Sequence, residues 1–280
     1  MQLGAYLTQE TTIERKDILL IVISSCIYAV CRTMINRFIL RPLTAFVPVE
    51  KQKIKFIHRG FDFLHYFFST VLGTLAFSTR PYAHCWFYIL DCKQYIGQTG
   101  NAFQCSVLEK IYYIYFASYY VSDILWIRTS NDILMLIFHH FFTLSLIFSC
   151  VIVARPVYGL CLMLLHDWGD TFLYLGKVLI YLGKPGYADY SLYFFGILFF
   201  WLRIFGVAAI LYTLYAYNSE NRQTLHPYLY YYADSMLAFL YCLHLIWGWD
   251  ILKAVRRVLN KSMEAHDTRS DPGYKRTKIE

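Results

Sequence analysis

Two short stretches of the chain carry residues whose types and spacing suit chemistry. In the first, Asp132, His139 and Thr143 are separated by seven and four residues, which sets them on one helical face, with His140 about 100° further round. In the second, His166 and Asp170 are four apart, Asp167 lies beside them and Lys177 follows Asp170 by seven. A neutral imidazole near neutral pH takes a proton from an amine or a hydroxyl, and a neighbouring carboxylate fixes its tautomer and steadies the imidazolium. The same set suits nucleophilic acyl transfer. Three histidines and two carboxylates are also a donor set for Zn or non-haem Fe. The spacing is not that of a zinc-protease helix, and no resident metal or cofactor is expected.

These residues lie in strongly apolar surroundings. The 280 residues are 58% hydrophobic, 19% aromatic and 16% charged, against roughly 25% charged in a soluble globular domain. That excludes a soluble enzyme, a DNA-binding domain and a disordered linker; no nucleic-acid partner is expected, and membrane lipids are. The net charge of +7 brackets apolar runs rather than covering a folded surface, as in a membrane protein setting its orientation. An ionised side chain at the bilayer centre costs about 2.5–3.5 kcal/mol on insertion scales, so each added one needs its own compensation. HH followed by HDxxD therefore reads as a site. Lone His65 or His244 reads as a satisfied hydrogen-bonding residue, and Arg203 and Asp123 read equally well as helix-pairing groups.

Seven spans are expected, at about 18–40, 61–77, 107–127, 133–153, 157–182, 192–217 and 228–251, an all-α polytopic bundle with Asp17 as the first N-cap. The organisation is a tail over 1–17, one transmembrane domain over 18–251 and a second tail over 252–280. No cleavable signal peptide is read ahead of the first span, and Arg32 and Arg37 are expected to snorkel to its interface. Arg41, Lys51, Lys53, Lys55 and Arg59 make the densest basic loop, which belongs in the cytosol. Seven crossings then put the N-terminus in the lumen and the Lys253, Arg256, Arg257 and Lys261 cluster in the cytosol, leaving the sequon at Asn260 unused. The ending KRTKIE resembles a weak dibasic retrieval signal for the endoplasmic reticulum. CWFYIL at 85–90 is expected to dip into the interface without crossing. Cys85, Cys92 and Cys105 share that lumenal loop, allowing one disulfide and one odd thiol, and the five cysteines inside apolar runs read as small buried residues. The tyrosines of the third span, Tyr112, Tyr113, Tyr115, Tyr119 and Tyr120, read as packing and interfacial hydrogen bonding.

The stretch from Arg128 to Lys177, RTSNDILMLIFHHFFTLSLIFSCVIVARPVYGLCLMLLHDWGDTFLYLGK, resembles the Lag1 motif of ceramide synthases within the wider TLC-domain family. The matching features are Arg128 with Asp132, His139-His140, Thr143, the connection from Arg155 to Gly159, Leu162-Met163, His166-Asp167, Asp170 and Lys177. Weaker likenesses are Lys55-Phe56, Arg203, and His244 with Trp247. The chain departs from the family's KFxExxWR-like segment, with His58, Phe61 and Asp62 in place of Glu, Trp and Arg, and has Gly169 where serine is usual.

The resemblance implies a multispanning protein of the endoplasmic reticulum membrane that transfers a fatty acyl group from acyl-CoA to the amino group of a sphingoid base. On it, His139 or His140 acts as base or transient acyl acceptor, and His166, Asp167 and Asp170 orient amine and imidazole. Arg128, Asp132, Thr143, Lys177 and Arg203 support the substrate, and Lys51, Lys53 and Lys55 meet the CoA phosphates. Acyl-CoA is a co-substrate, and a homodimer or an accessory membrane subunit is allowed. The rival reading is a TLC-domain protein that binds, senses or moves lipid. A transporter would show inverted repeats and an elongase HxxHH; neither is present.

Overall fold

A computed structural model of the chain describes residues 6–14, 16–88, 92–96, 103–126, 133–217 and 227–259. Seven long helices dominate it. Helix α1 starts at Asp17 and runs through a π-helical stretch at Asn36–Leu40 to Phe46. It is followed by α2 (Lys53–Ser78), α3 (Val107–Asp123), α4 (Ile133–Ile152), α5 (Pro156–Tyr181), α6 and α7 (Pro227–Leu259). Helix α6 spans Pro185–Leu198, a π-helical Phe199–Gly206 and Val207–Tyr217.

The pattern is that of a polytopic membrane protein. By length and composition Asp17–Phe46, Ile133–Ile152, Pro185–Ala216 and Tyr228–Arg256 are long and apolar enough to cross a bilayer. The other three, α2, α3 and α5, hold buried polar residues and lie deeper in the bundle. Helix α1 is inside-out: Asp17, Ile21, Ser25 and Arg32 are buried, while Leu19, Val22, Ile23, Ile27 and Val30 are exposed. An apolar outer face with polar groups inward is stable only where the outside is lipid.

Helix α5 is the core. Sixteen of its 26 residues are buried, so it has no lipid or water face over most of its length. It packs along α2 and α6, α1 packs on α3, and α7 packs on α4. Pro156 and Pro185 open α5 and α6, where a missing N–H costs nothing. The turn between them uses Gly183 at φ +69°, a backbone conformation that tolerates glycine best.

Several expectations change. The bundle carries a two-stranded antiparallel ribbon, β1 (Glu10–Ile13) with β2 (Phe103–Ser106), beside its helices. Asp17 is the first helical residue rather than the cap: Lys16 precedes the helix without a side-chain cap bond, and the Asp17 carboxylate accepts from Glu14 N–H and pairs with Lys110 at 2.7 Å. The second helix starts at Lys53, eight residues early, because the basic stretch before the apolar run is itself helical. The sixth starts at Pro185 and the seventh continues through its basic end to Leu259.

Arg32 does not snorkel. It is buried, with Nη1 on Asp123 at 2.5 Å and Nη2 on Asp62 at 3.3 Å, between the rings of Phe61 and Trp126. Of the five cysteines in apolar runs, Cys150 and Cys161 are buried, but Cys26, Cys31 and Cys242 lie on the exposed outer surface. The disulfide joins Cys85 to Cys92 and leaves Cys105 as the odd thiol. The segment around it dips inward, with Trp86 stacked on Trp168 at 5.3 Å and Phe87 O accepting from Trp201 Nε1. Trp168 lies about 18 Å along α5 from Pro156 at 1.5 Å per residue. Asn260 and the KRTKIE ending lie outside the described residues.

Candidate active site

The predicted helical faces meet inside the bundle. His139 and Thr143 on α4 turn toward α5 and α7, where the His139 ring stands 6.4 Å from His166 and 5.2 Å from Trp247. His140, round the helix from them, turns toward α3. All three histidines are buried, at 7%, 6% and 4% exposure, so each ring nitrogen must be accounted for by protein or substrate.

The two adjacent histidines differ in what they can offer. His140 presents Nδ1 to Leu136 O at 2.9 Å and Nε2 to Asp123 Oδ2 at 3.1 Å. Both of its nitrogens are thus already engaged by protein groups, so neither is open to a substrate. Asp123 also takes Arg32 through its other oxygen, and Arg32 reaches Asp62, which holds Arg59 at 3.0 Å. His140 is therefore the end of an ion network joining α1, α2, α3 and α4. His139 stands on the other side of α4, facing the second histidine stretch.

On α5 the three motif residues diverge. His166 donates from Nδ1 to Leu162 O at 2.6 Å, which fixes its tautomer and leaves the lone pair on Nε2. That nitrogen stands 3.0 Å from Nε2 of His244 on α7. Asp170, one turn on, pairs with Arg203 at 2.7 Å, and the same Arg203 Nη2 donates to His166 O at 2.8 Å. Arg203 lies in the π-helical segment of α6, a local widening that often re-aims side chains at functional sites. Asp167 faces the opposite way, accepting from Ser69 and Tyr112 hydroxyls at 2.6 Å each. Gly73 permits this: a Cβ there would stand 2.7 Å from Tyr112 Cζ.

Beside His166 opens a narrow apolar cavity walled by Thr143, Leu146, Ile147, Leu162, Met163 and Leu240. The buried Thr143 Oγ1 in its wall has no hydrogen-bond partner among the described residues. Of the histidines only His166 lines this cavity, whose wall is otherwise apolar apart from Thr143.

The remaining expected residues sit elsewhere. Lys177 lies over Tyr174 at 5.6 Å, half-buried, toward the basic-loop end of α5. Lys51 is exposed, Lys53 pairs with Glu50 at 2.6 Å, and Lys55 is half-buried, all at the start of α2. Arg128 and Asp132 lie outside the described residues.

Residues read blandly from the sequence prove central: Arg32, Asp62, Asp123, Tyr112 and His244. A usable signal existed for Arg32, which stands eight residues, about 12 Å, inside the expected end of its span, beyond easy snorkelling. His65 is hydrogen-bonded as expected at Nδ1, with Tyr28 Oη at 2.7 Å and the Tyr119 ring stacked on it, but its buried Nε2 has no partner among the described residues.

Fold and site together define a polytopic helical membrane protein with a buried polar centre. The TLC-domain family model matches residues 55–253, and the chain belongs to that family. Among its relatives, the Alternaria stem canker resistance protein 1 of Solanum lycopersicum is 25% identical, over 94% of this chain and 92% of its own. Ceramide synthase 1 LOH3 of Arabidopsis thaliana is 28% identical, over 79% of this chain and 75% of its own. Ceramide synthase LOH1 of the same plant is 29% identical over 58% of this chain, which spans a little over half of that protein, 56%. Helix α1, which supplies Arg32, lies before the matched region.

Proposed function

We propose that this protein transfers a fatty acyl group from acyl-CoA to the amino group of a sphingoid base, giving a ceramide or dihydroceramide and CoA. The single observation that carries the reading is the packing of His139 against His166 beside an apolar cavity. Relatives named as ceramide synthases support the substrate class.

In this reading His139 is the base or transient acyl acceptor, because the nitrogens of His140 are already engaged by Leu136 and Asp123. The thioester is already activated, so attack by a neutral amine needs proton transfer and orientation rather than ATP. Arg203 holds Asp170 and the His166 backbone in register, while Asp167 ties α5 to α2 and α3 through Ser69 and Tyr112. Lys51, Lys53, Lys55 and Lys177 gather at one end of the bundle, where CoA phosphates would approach. Seven crossings in the endoplasmic reticulum membrane, with the basic loop in the cytosol, complete the proposal.

The test is incubation of detergent-purified protein with native lipid, a panel of acyl-CoAs and sphinganine, following N-acyl product by mass spectrometry. Product is expected from wild type and from no folded His139→Ala sample. A folded wild type that binds lipid but forms no product, even with co-purifying membrane partners, would favour lipid binding without transfer.

A further inference from the structure

The proposed mechanism leaves His244 unused, on α7, fully buried and 78 residues from the imidazole it touches. Its Nε2 stands 3.0 Å from His166 Nε2, with ring centroids 4.9 Å apart. The proton between them can be placed by elimination. Leu162 O can only accept, so His166 Nδ1 is the donor there, and the neutral His166 Nε2 carries a lone pair. The hydrogen in the contact between the rings therefore belongs to His244. A buried imidazole that donates to a second imidazole gives a pair able to take up one further proton and hold it between two equivalent nitrogens.

We propose that His244 is a positioning residue which, by donating Nε2–H to His166, makes the two imidazoles one proton-accepting unit beside His139. The proposal rests on the acyl-transfer reading. In that reaction the amine arrives as an ammonium, the N–C bond forms and the C–S bond breaks. Nitrogen loses two protons: one leaves with the thiolate as the CoA thiol, and the other needs a base inside a site closed to water. The pair is placed to take it from the amine side, through His139, and to pass it on when product leaves. The charged and titratable groups facing the pair are His139 on α4, Asp170 on α5 and Arg203 on α6, with Tyr120 on α3 behind His139. Arg203 is paired with Asp170 at 2.7 Å.

The test compares wild type, His244→Phe and His244→Gln in detergent with native lipid, reading kcat and KM for N-acylation from pH 6 to 9. Glutamine keeps an N–H donor for His166 but takes no proton. His244→Phe is expected to lose about 100-fold in kcat and His244→Gln at least about tenfold. KM should hardly change, and in both variants the pH dependence of kcat should be altered. Full rescue by glutamine with the wild-type pH profile would overturn proton acceptance, and wild-type kinetics in both variants would reduce His244 to packing. Should phenylalanine fail to fold, the glutamine variant alone decides. Absence of product from wild type would instead strike the acyl-transfer reading.

Discussion

The molecule has two regions rich in ion pairs, and they differ in what they hold together. At the ribbon end, Arg80 pairs with Glu10 and Glu109, Tyr82 donates to Glu109 at 2.6 Å, and Lys110 bridges Asp17 and Thr12 O. These groups sit at helix starts, in a strand and in the turn after α2, and Glu10 is open, at 63% side-chain exposure. In the interior, Arg32, Asp62, Asp123 and His140 are all nearly sealed and come from four helices. The same residue types latch a terminus in one place and position an imidazole in the other. An exposed pair is worth about 0–1 kcal/mol, whereas removing one partner of a buried pair costs about 3–5 kcal/mol, because the orphaned charge has no water.

The sharpest way to break the contrast is Arg32→Met. It strands Asp62 and Asp123 in the bundle, and a loss of about 3–5 kcal/mol is expected, read as failure to elute as a monodisperse species or as a large fall in melting temperature. A wild-type melt would mean that the network adds nothing to folding. Next comes the histidine pair. His139→Ala is expected to lower N-acylation by at least about 100-fold with little change in melting temperature, while His140→Ala should lower both together. Equal behaviour of the two would remove the distinction drawn from their hydrogen bonds.

Tyr112→Phe deletes one of two hydroxyls on Asp167 and should destabilise by about 0.5–1.5 kcal/mol, the range for a typical hydrogen bond, measured by thermal unfolding in detergent. Ser69→Ala should do likewise. At the ribbon end Glu10→Gln is expected to cost no more than about 1 kcal/mol. A larger loss would show that the N-terminal latch carries more of the fold than its exposure allows.

The smallest effect concerns Cys105, on β2 outside the helices. Burial first, then the nearby Glu109 carboxylate, pushes its thiol up to about 12. The thiol therefore stays protonated from pH 6 to 9, and alkylation by a maleimide should be slow throughout that range, rising with pH without levelling off by pH 9. Fast labelling that bends over towards pH 9, as for a thiol of ordinary pKa, would show the ribbon opening.

The sequence by itself determined much: that the chain lives in a membrane, roughly where seven helices lie, and that HH and HDxxD point into the bundle. Those features are periodic and local, because a charged group in an apolar run has few places to go and helical spacing sets its face. It did not indicate the stacking of Trp86 on Trp168. Only the tertiary structure decided which partner each group took. Arg32 meets Asp123 across 91 residues, Ser69 meets Asp167 across 98, and His166 meets His244 across 78. No local pattern encodes such pairings: they depend on the rotation and depth at which α1, α2 and α7 pack around α5. The split between His139 and His140 has the same origin. Adjacent in sequence, they point about 100° apart on one helix, and whether each meets a carboxylate or a cavity depends on which helices close against α4.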